Sequence, residues 1–250
     1  KIMKMLKRSL LAILLLFSST FAFAVPVDTE LSLVIDVSGS VTNSEYNLMM
    51  DGYGAAFRDT TVQSNILTGN TNNAIAVNVV FFDSNFIQTA LETFVLLDSA
   101  SAINTFAATL ENFVRPGQGG TSIYTGMNRA TSLLVGDNSY ESSNLVMDVS
   151  GDGTSSASLT QAARDSAAAA GITVNGITIG GQNINDFYNA NVITTNGFSI
   201  AAASFAEFDQ GVRDKLRIET GGVPEPATLM LLSAGLFGLG AARRRRSKNT

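Results

Sequence analysis

Five short, mainly apolar runs, separated by helical patterns, restrict the fold of this chain more than any other feature. The runs are Leu31–Val37, Ala74–Phe82, Asn144–Val149, Ile172–Ile179 and Gly197–Ala202. Most lack a regular polar alternation, which is typical of strands covered on both faces. Such strands alternating with helices predict an α/β fold, a doubly wound, mostly parallel sheet flanked by helices. Phe86–Phe94 is predicted to return as one antiparallel edge strand.

The segments between these strands carry apolar residues at helical spacing. Thr42 and Glu45 have the capping-box pattern that begins a helix, and this helix is predicted to reach Phe57. Further helices are predicted from Asp98 or Ser99 to Phe113, from Thr121 to about Val135, and over Leu159–Ala170, Asn185–Asn191 and Phe205–Ile218.

The first 24 residues predict export. Basic residues, the apolar run Leu10–Phe17 and the small-residue exit Ala22-Phe23-Ala24 follow one another as in a secretory signal peptide. The apolar run is short for a membrane span. We therefore expect residues 1–24 to be a signal peptide, with a retained N-terminal anchor as the alternative.

The segment between the two ends of the chain is strongly acidic. Seven basic and 20 acidic residues remain there, which gives a net charge of −13. A domain with this charge repels nucleic acid and anionic lipid and favours cations, so we expect no nucleic-acid partner. The chain has no cysteine for disulfides and no histidine. The lack of histidine removes the usual general base and zinc ligand, and argues against an enzyme.

Residues with oxygen ligands follow two strands and one glycine-rich loop. Asp36, Ser38 and Ser40 come directly after the first apolar run, Thr121 ends the loop, and Asp152 follows the third parallel strand. Ligands of doubly wound sheets bind at the carboxyl ends of the strands, where we expect these segments to meet. Two carboxylates and three hydroxyls form a mixed oxygen shell of the kind that Mg²⁺ accepts. These five residues are the predicted metal ligands.

Each of these segments also has a plainer interpretation. Asp36 could cap a helix or a turn, and Asp152 with the next glycine could form a tight turn. Asp83 could share the rim of the site, although a turn role is favoured. Asp148, within its strand, is an alternative acidic ligand. The glycine run Gly117–Gly120 lacks the Gly-Lys-Ser/Thr ending of a phosphate-binding loop.

The five predicted ligands resemble the metal-ion-dependent adhesion site of the von Willebrand factor type A domain family. That site has the pattern Asp-x-Ser-x-Ser, a distant Thr, and an Asp followed by Gly, which this chain matches in type and order. The resemblance covers residues 28–219 and extends to a bacterial subgroup of unassigned function. It implies a Rossmann-like fold, bound Mg²⁺ (or Mn²⁺ or Ca²⁺), and capture of a ligand whose acidic group completes the metal shell.

The C-terminal residues predict sorting at a membrane. After a linker that begins at residue 220, the order is Pro224-Glu225-Pro226, the apolar run Ala227–Ala242 and the basic block Arg243–Arg246. This order resembles the PEP-CTERM sorting signal of Gram-negative bacteria. The resemblance implies that residues 227–250 span the inner membrane transiently and that an exosortase recognises Pro224, Glu225 and Pro226. An ordinary C-terminal anchor is the alternative.

Together these features predict an exported binding or adhesion module of the cell surface or extracellular matrix that is not an enzyme. Through its divalent cation it would capture an acidic group on a protein or surface polymer of unknown identity. Two alternatives stay open. One is a metal-dependent phosphoryl hydrolase, and the other is an acidic scaffold protein of a biofilm matrix that binds cations diffusely.

Overall fold

The structure, a computed structural model, describes residues 24–136 and 138–221. Nine strands are present in these ranges, seven of them in one sheet with the order β4-β3-β2-β7-β8-β9, to which β5 adds by pairing with β3. The strands are β1 (Val25–Pro26), β2 (Thr29–Asp36), β3 (Ile75–Phe82), β4 (Phe86–Ile87), β5 (Val95–Leu97), β6 (Tyr140–Glu141), β7 (Leu145–Gly151), β8 (Ile172–Ile179) and β9 (Ser199–Ala202).

The central strand of this sheet is β2, which pairs in parallel with β3 on one side and with β7 on the other. Ile35, near the end of β2, lies beside Phe81 of β3 and Ser150 of β7. β8 and β9 continue the parallel order beyond β7. The carboxyl ends of five strands therefore lie at one edge of the sheet, which is the arrangement that the sequence predicted.

Helices cover both faces of the sheet. Leu33 and Ile35 of β2 enter a core beneath α1, α2, α3 and α7, whereas Val34 enters a second core beneath α4, α5 and α6. Burial on both faces explains why the strand lacks polar alternation. The helices are α1 (Asn43–Arg58), α2 (Thr60–Thr68), α3 (Ala100–Glu111), α4 (Ile123–Leu134), α5 (Ala157–Ala169), α6 (Gln182–Asn191) and α7 (Phe205–Thr220).

The antiparallel edge is divided where the sequence predicted one strand over Phe86–Phe94. β4 and β5 both pair with β3, and a 3₁₀ turn, Ala90–Glu92, separates them. The Thr89 side chain accepts a hydrogen bond from Leu91 N at the start of this turn. The buried Asn78 side chain of β3 donates to Glu92 O at its end. These side-chain contacts hold the turn and interrupt the strand.

α2 is a helix that the sequence pattern did not predict. The residue between α1 and α2, Asp59, accepts hydrogen bonds from Thr61 N and Val62 N, and so caps a second helix immediately after the first. Arg217 of α7 holds the same carboxylate, with Nη2 at 2.7 Å from Oδ2. The capping box Thr42–Glu45 and the capping residue Ser99 are confirmed.

The C-terminal end of α7 lies at the edge of the sheet opposite the carboxyl ends of the strands. Asn70, just before β3, donates to Thr220 O, and Asn65 of α2 donates to Arg217 O. The described chain therefore begins and ends near the amino ends of its strands. Within the described ranges, no helix combines the length and apolar character needed to cross a membrane.

Candidate metal centre

Three loops meet at the carboxyl edge of the sheet. Asp36 is the last residue of β2, and Asp152 directly follows the last residue of β7, the neighbouring parallel strand. Thr121 lies just before α4 and reaches the same place because Gly39 N donates to Gly119 O at 2.7 Å. The local order of the strands thus positions two of the segments, and a backbone contact positions the third.

The structure brings all five predicted ligands together. Ser40 Oγ donates to Asp152 Oδ1 at 2.6 Å, and Thr121 Oγ1 donates to Ser38 Oγ at 3.0 Å. The two serine hydroxyls lie 3.2 Å apart. Ser38 N donates to Asp36 Oδ1 at 2.8 Å, which fixes that carboxylate beneath the loop. A turn or capping role for Asp36 does not account for the other contacts, which join residues 83 and 112 positions apart.

Asp36 is buried with an excess of negative charge. Its Oδ2 atom has no hydrogen-bond partner among the described residues. Burial raises the pKa of this carboxyl group to about 7; hydrogen bonds from Ser38 oppose the shift, and the nearby charge of Asp152 adds to it. A cation at this point would satisfy the free oxygen and offset both carboxylates. The donor set, two carboxylates with three hydroxyls, therefore fits a hard divalent ion.

The glycine-rich loop is fastened by the turn after β3. Asp83 Oδ2 accepts from Gly119 N at 2.8 Å, and Ser84 Oγ accepts from Gly120 N at 2.6 Å. A Cβ atom at Gly119 would lie 2.7 Å from Ser84 Oγ and 2.8 Å from Asp83 Oδ2, so a larger residue there would displace these side chains or the loop. Asp83 also accepts from Asn85 N, and so both forms a turn and holds the loop. Because both amides are occupied, they are not available to a phosphate.

Arg115 also fastens the site, and the sequence pattern did not predict this role. Its Nη2 atom donates to Val37 O at 2.9 Å and to Ser38 O at 2.7 Å, and its Nη1 atom donates to Asn43 Oδ1 at 3.0 Å. The guanidinium group therefore supports the loop that carries the serine hydroxyls from below. Its only sequence signal is its position: it is the single basic residue of the loop before the glycines.

Tyr188 of α6 approaches the Asp36 carboxylate from the core that lies beneath α4, α5 and α6. Its buried hydroxyl has no partner among the described residues. The hydroxyl and Asp36 Oδ2 would lie 2.6 Å and 2.8 Å from a Cβ atom at Gly151. A side chain at position 151 would therefore displace Asp36, which explains the glycine at the end of β7. In the sequence, nothing marks Tyr188 except its position within a predicted helix.

A cavity of about 450 Å³ adjoins Asp152. Glu45, at the start of α1, lies on one wall, and the starts of α6 and α7 form the others. Its remaining lining residues include Gly180, Gly181, Asn183 and Ser204. A ligand that reached the candidate metal centre would find this cavity beside it.

Asp148 is not part of the site. It lies 0% exposed on the face of β7 that packs against α7, and its Oδ1 is 2.6 Å from Lys215 Nζ. The alternative that Asp148 is the acidic ligand is therefore wrong. In the described part of the chain, no group of three or more acidic, histidine or cysteine side chains is placed to hold a metal. The predicted centre contains two carboxylates and depends on hydroxyls for the rest of its shell.

The domain of this chain matches the profile of a known protein family. Residues 26–224 match the profile described as "Protein of unknown function (DUF1194)", which covers most of the chain. The chain belongs to the DUF1194 family. Residues 222–246 of this DUF1194 protein match the PEP-CTERM protein-sorting motif, which marks it for export and sorting to the cell surface. No curated protein matches its sequence.

Solved structures show that the DUF1194 domain has the von Willebrand factor type A fold. A von Willebrand factor type A protein from Catenulispora acidiphila matches with a TM-score of 0.55 and 15% identity over 78% of this chain and 43% of that chain. The pilus adhesin SpaC from Lactobacillus rhamnosus GG matches with a TM-score of 0.55 and 15% identity over 78% of this chain and 31% of that one. The predicted fold is therefore confirmed.

A third structure contains an occupied metal site. Proximal thread matrix protein 1 from the mussel byssus, with a zinc-occupied MIDAS motif, has a TM-score of 0.55 and 17% identity over 79% of this chain and 49% of that chain. The DUF1194 chain spans less than half of each of these three structures. At these identities the similarity shows the fold, and the ligand role of Asp36, Ser38, Ser40, Thr121 and Asp152 stays a prediction.

The predicted membrane helix and the motif Pro224, Glu225 and Pro226 lie outside the described residues, as does the signal peptide apart from Ala24. The linker and domain boundaries are likewise predictions, although α7 ends at Thr220, where the linker was predicted to begin.

Proposed function

We propose that this DUF1194 protein is an exported, non-enzymatic adhesion module that binds an acidic group through a divalent cation. The ligands of the cation are Asp36, Ser38, Ser40, Thr121 and Asp152. Mg²⁺ fits this mixed shell, and Mn²⁺ or Ca²⁺ could replace it. The partner is a protein or surface polymer that carries a carboxylate.

The observation that carries the proposal is the free Oδ2 atom of the buried Asp36 beside Asp152 and three hydroxyls. Leaving a buried carboxylate oxygen unpaired is costly, so the site favours a bound cation. A divalent ion held by few carboxylates retains affinity for an outside carboxylate. The adjoining cavity offers space for the group that bears it.

A hydrolase is disfavoured by the same geometry. The sequence has no histidine to act as a general base. Arg115 lies beneath the loop that carries the serine ligands, and its guanidinium group donates hydrogen bonds to the carbonyl oxygens of Val37 and Ser38. It is therefore occupied in supporting the loop rather than in stabilising a transferred phosphoryl group.

The sorting motif supports export and a location at the cell surface. An exosortase is the expected partner during export, with a transient stay of residues 227–250 in the inner membrane of a Gram-negative cell. The C-terminal end of α7 lies at the edge of the sheet opposite the candidate metal centre. A chain held by its tail would therefore present the centre away from its point of attachment, toward partners in the extracellular matrix.

Calorimetric titration of the chelator-treated protein with Mg²⁺, Mn²⁺ and Ca²⁺ tests the metal site. We expect one saturable site that Asp36→Asn abolishes. Asp51→Asn, which removes an exposed carboxylate on α1, should leave it intact. Many weak sites that persist in Asp36→Asn would support the acidic scaffold instead.

Binding to a carboxylate-bearing surface tests the adhesion role. Beads coated with a polyuronic acid or with an acidic protein should retain the wild-type chain in Mg²⁺, release it in chelator and fail to retain Asp36→Asn. Retention of Asp36→Asn equal to that of the wild type would contradict the mechanism. Turnover of a generic phosphoester that Asp152→Asn abolishes would favour the hydrolase.

A further inference from the structure

Three ionisable side chains form a cluster in the core, away from the candidate metal centre. Lys215 and Glu219 lie on successive turns of α7, and Asp148 lies within β7. The side chains of Lys215 and Asp148 are 0% exposed, and that of Glu219 is 1% exposed. Lys215 Nζ is 2.6 Å from Asp148 Oδ1 and also contacts Glu219 Oε1. The cluster joins the last helix of the domain to a central strand.

The charges of this cluster do not balance. Two carboxylates share one ammonium group, and Nζ approaches Asp148 outside hydrogen-bonding angles, so that neither Asp148 oxygen accepts a hydrogen bond in the described structure. Asn175 Nδ2 donates to Glu219 Oε1 at 2.8 Å, and Glu219 Oε2 has no partner there. Burial raises the pKa of Asp148 and that of Glu219, the latter to about 7. Although Lys215 opposes both shifts, burial thus favours the neutral forms of the two carboxyl groups.

The surroundings exclude water and hold the reacting groups in contact. The Phe198 ring lies 5.7 Å from Lys215 Nζ, and Leu216 is fully buried beside it on α7. Groups held in this way react at a high effective concentration, because their translational freedom is already lost. An excluded-water site also removes the competing hydrolysis of an activated carboxyl group.

We propose that an intramolecular amide bond joins Lys215 Nζ to Asp148 Cγ in the folded protein. The lysine ammonium passes a proton to the Asp148 carboxylate, and the neutral amine then attacks Cγ. The C–N bond forms and one C–O bond breaks. Glu219 accepts the second proton from the nitrogen and returns it to the departing oxygen, which leaves as water. One ammonium and one carboxylate thus give one amide and one water, with no oxidant or other reactant.

The bond removes one buried ion pair and joins the end of the domain covalently to β7. It replaces two buried charges with a neutral amide, and Glu219, whose pKa burial raises to about 7, then takes up one proton from solvent. The chain has no cysteine and so has no disulfide for this purpose. Because α7 leads directly into the sorting tail, force on the tail would pass through Lys215 to β7 instead of unwinding α7. The proposal is independent of the metal centre.

The intact mass of the full chain, measured under denaturing conditions, tests the bond. The wild-type mass should be one water molecule below the mass calculated from its measured N and C termini. A peptide map should contain a branched peptide that joins the segments of Asp148 and Lys215. Lys215→Met should have its full calculated mass, and Glu219→Gln, which keeps both reacting groups, should form the bond more slowly. Arg213→Met, on the same helix, is the matched control and should lose water as the wild type does.

A wild-type chain with its full calculated mass, after prolonged incubation in the folded state, would overturn the proposal. So would a water loss that persists in Lys215→Met or that maps to a cyclised aspartate in a linear peptide. The wild-type mass and peptide map decide the matter even where a variant fails to fold.

Discussion

At the scale of single residues, the candidate metal centre depends on polar atoms whose partners come from distant parts of the chain. Asp36 is held by a neighbour, Ser38 N, and burial raises the pKa of its carboxyl group, while Asp152 and Arg115 from other loops shift that pKa in opposite directions. The residue types in Asp-x-Ser-x-Ser could be recognised in the sequence because they lie together. Arg115 and Tyr188 could not, because nothing in the sequence around them marks the contacts that they make.

The raised pKa of Asp36 gives the metal-free protein a distinctive pH dependence. The folded state holds the proton more tightly than the unfolded state, so the free energy of unfolding should fall as pH rises from about 4 to about 7 and then level off. The loss is on the order of 4 kcal/mol for a shift of this size. Added Mg²⁺ should restore stability at neutral pH, because the ion needs the ionised carboxylate.

Urea unfolding in chelator, with wild type and Asp36→Asn compared across this pH range, measures the effect. In Asp36→Asn the free energy of unfolding should depend less on pH than in the wild type. The pH dependence that remains should come from the other buried carboxyl groups. Identical slopes in the two proteins would show that Asp36 titrates normally.

Gly119→Ala should weaken metal binding through the loop that carries Thr121. The added Cβ would meet Ser84 Oγ at 2.7 Å and Asp83 Oδ2 at 2.8 Å, so the two side chains that fasten the loop, or the loop itself, must move. We expect a loss of stability of about 1–3 kcal/mol and a larger relative loss of metal affinity. Gly120→Ala, whose Cβ would lie 3.2 Å from Ser84 Oγ, is the milder control. Calorimetry should give Gly120→Ala a metal affinity between those of the wild type and Gly119→Ala. Equal metal affinities in all three proteins would argue against a role of the glycine-rich loop in metal binding.

At the scale of elements, the sequence predicted helix starts that are stabilised by contacts between residues close in the chain. The capping box Thr42–Glu45 and the cap Ser99 predicted the starts of α1 and α3, because cap and helix lie within a few residues. The division between β4 and β5 was missed, since it depends on the Asn78 side chain of another strand. α2 was missed because a cap that directly follows another helix resembles a continuation of that helix.

Asp59→Ala should destabilise the junction of α1, α2 and α7. The change removes the cap of α2 and the partner of Arg217, and we expect a loss of about 2 kcal/mol in the free energy of unfolding. The pKa of Asp59 is lowered, mainly by its hydrogen bond from Arg217. This stability should therefore be lost as the pH falls through the acid range. Urea unfolding measures it, with Asp51→Ala as the control; equal losses in the two variants would contradict the assignment.

At the scale of the whole molecule, the sheet separates the candidate metal centre from the point where the tail begins. Residues 25–222 carry the net charge of −13. An acidic domain of this kind stays soluble outside the cell and attracts cations toward the centre. The contacts of Asn65 and Asn70 with α7 join the last turns of that helix to the rest of the domain.

A chain covering residues 25–221 should fold with the thermal stability of the full chain without its signal peptide. It retains the contacts of Asn70 with Thr220 and of Arg217 with Asp59. A chain that stops after residue 214 should not fold, because it lacks the buried Lys215 and Leu216. Circular dichroism melts of both chains test the boundary, and a fully folded shorter chain would place it earlier.

The amino-acid sequence was sufficient to predict the main strands and helices in their order, the fold class and the residue types of the candidate metal centre, but not α2 or the division between β4 and β5. It was sufficient for these because burial on both faces removes polar alternation, and because caps and the Asp-x-Ser-x-Ser loop involve residues close in the chain. Which polar groups share a buried space follows only from the folded structure. Asp148 contacts Lys215 instead of the metal centre, and Arg115 supports the loop that carries Ser38 and Ser40. These contacts depend on packing between segments that are far apart in the sequence.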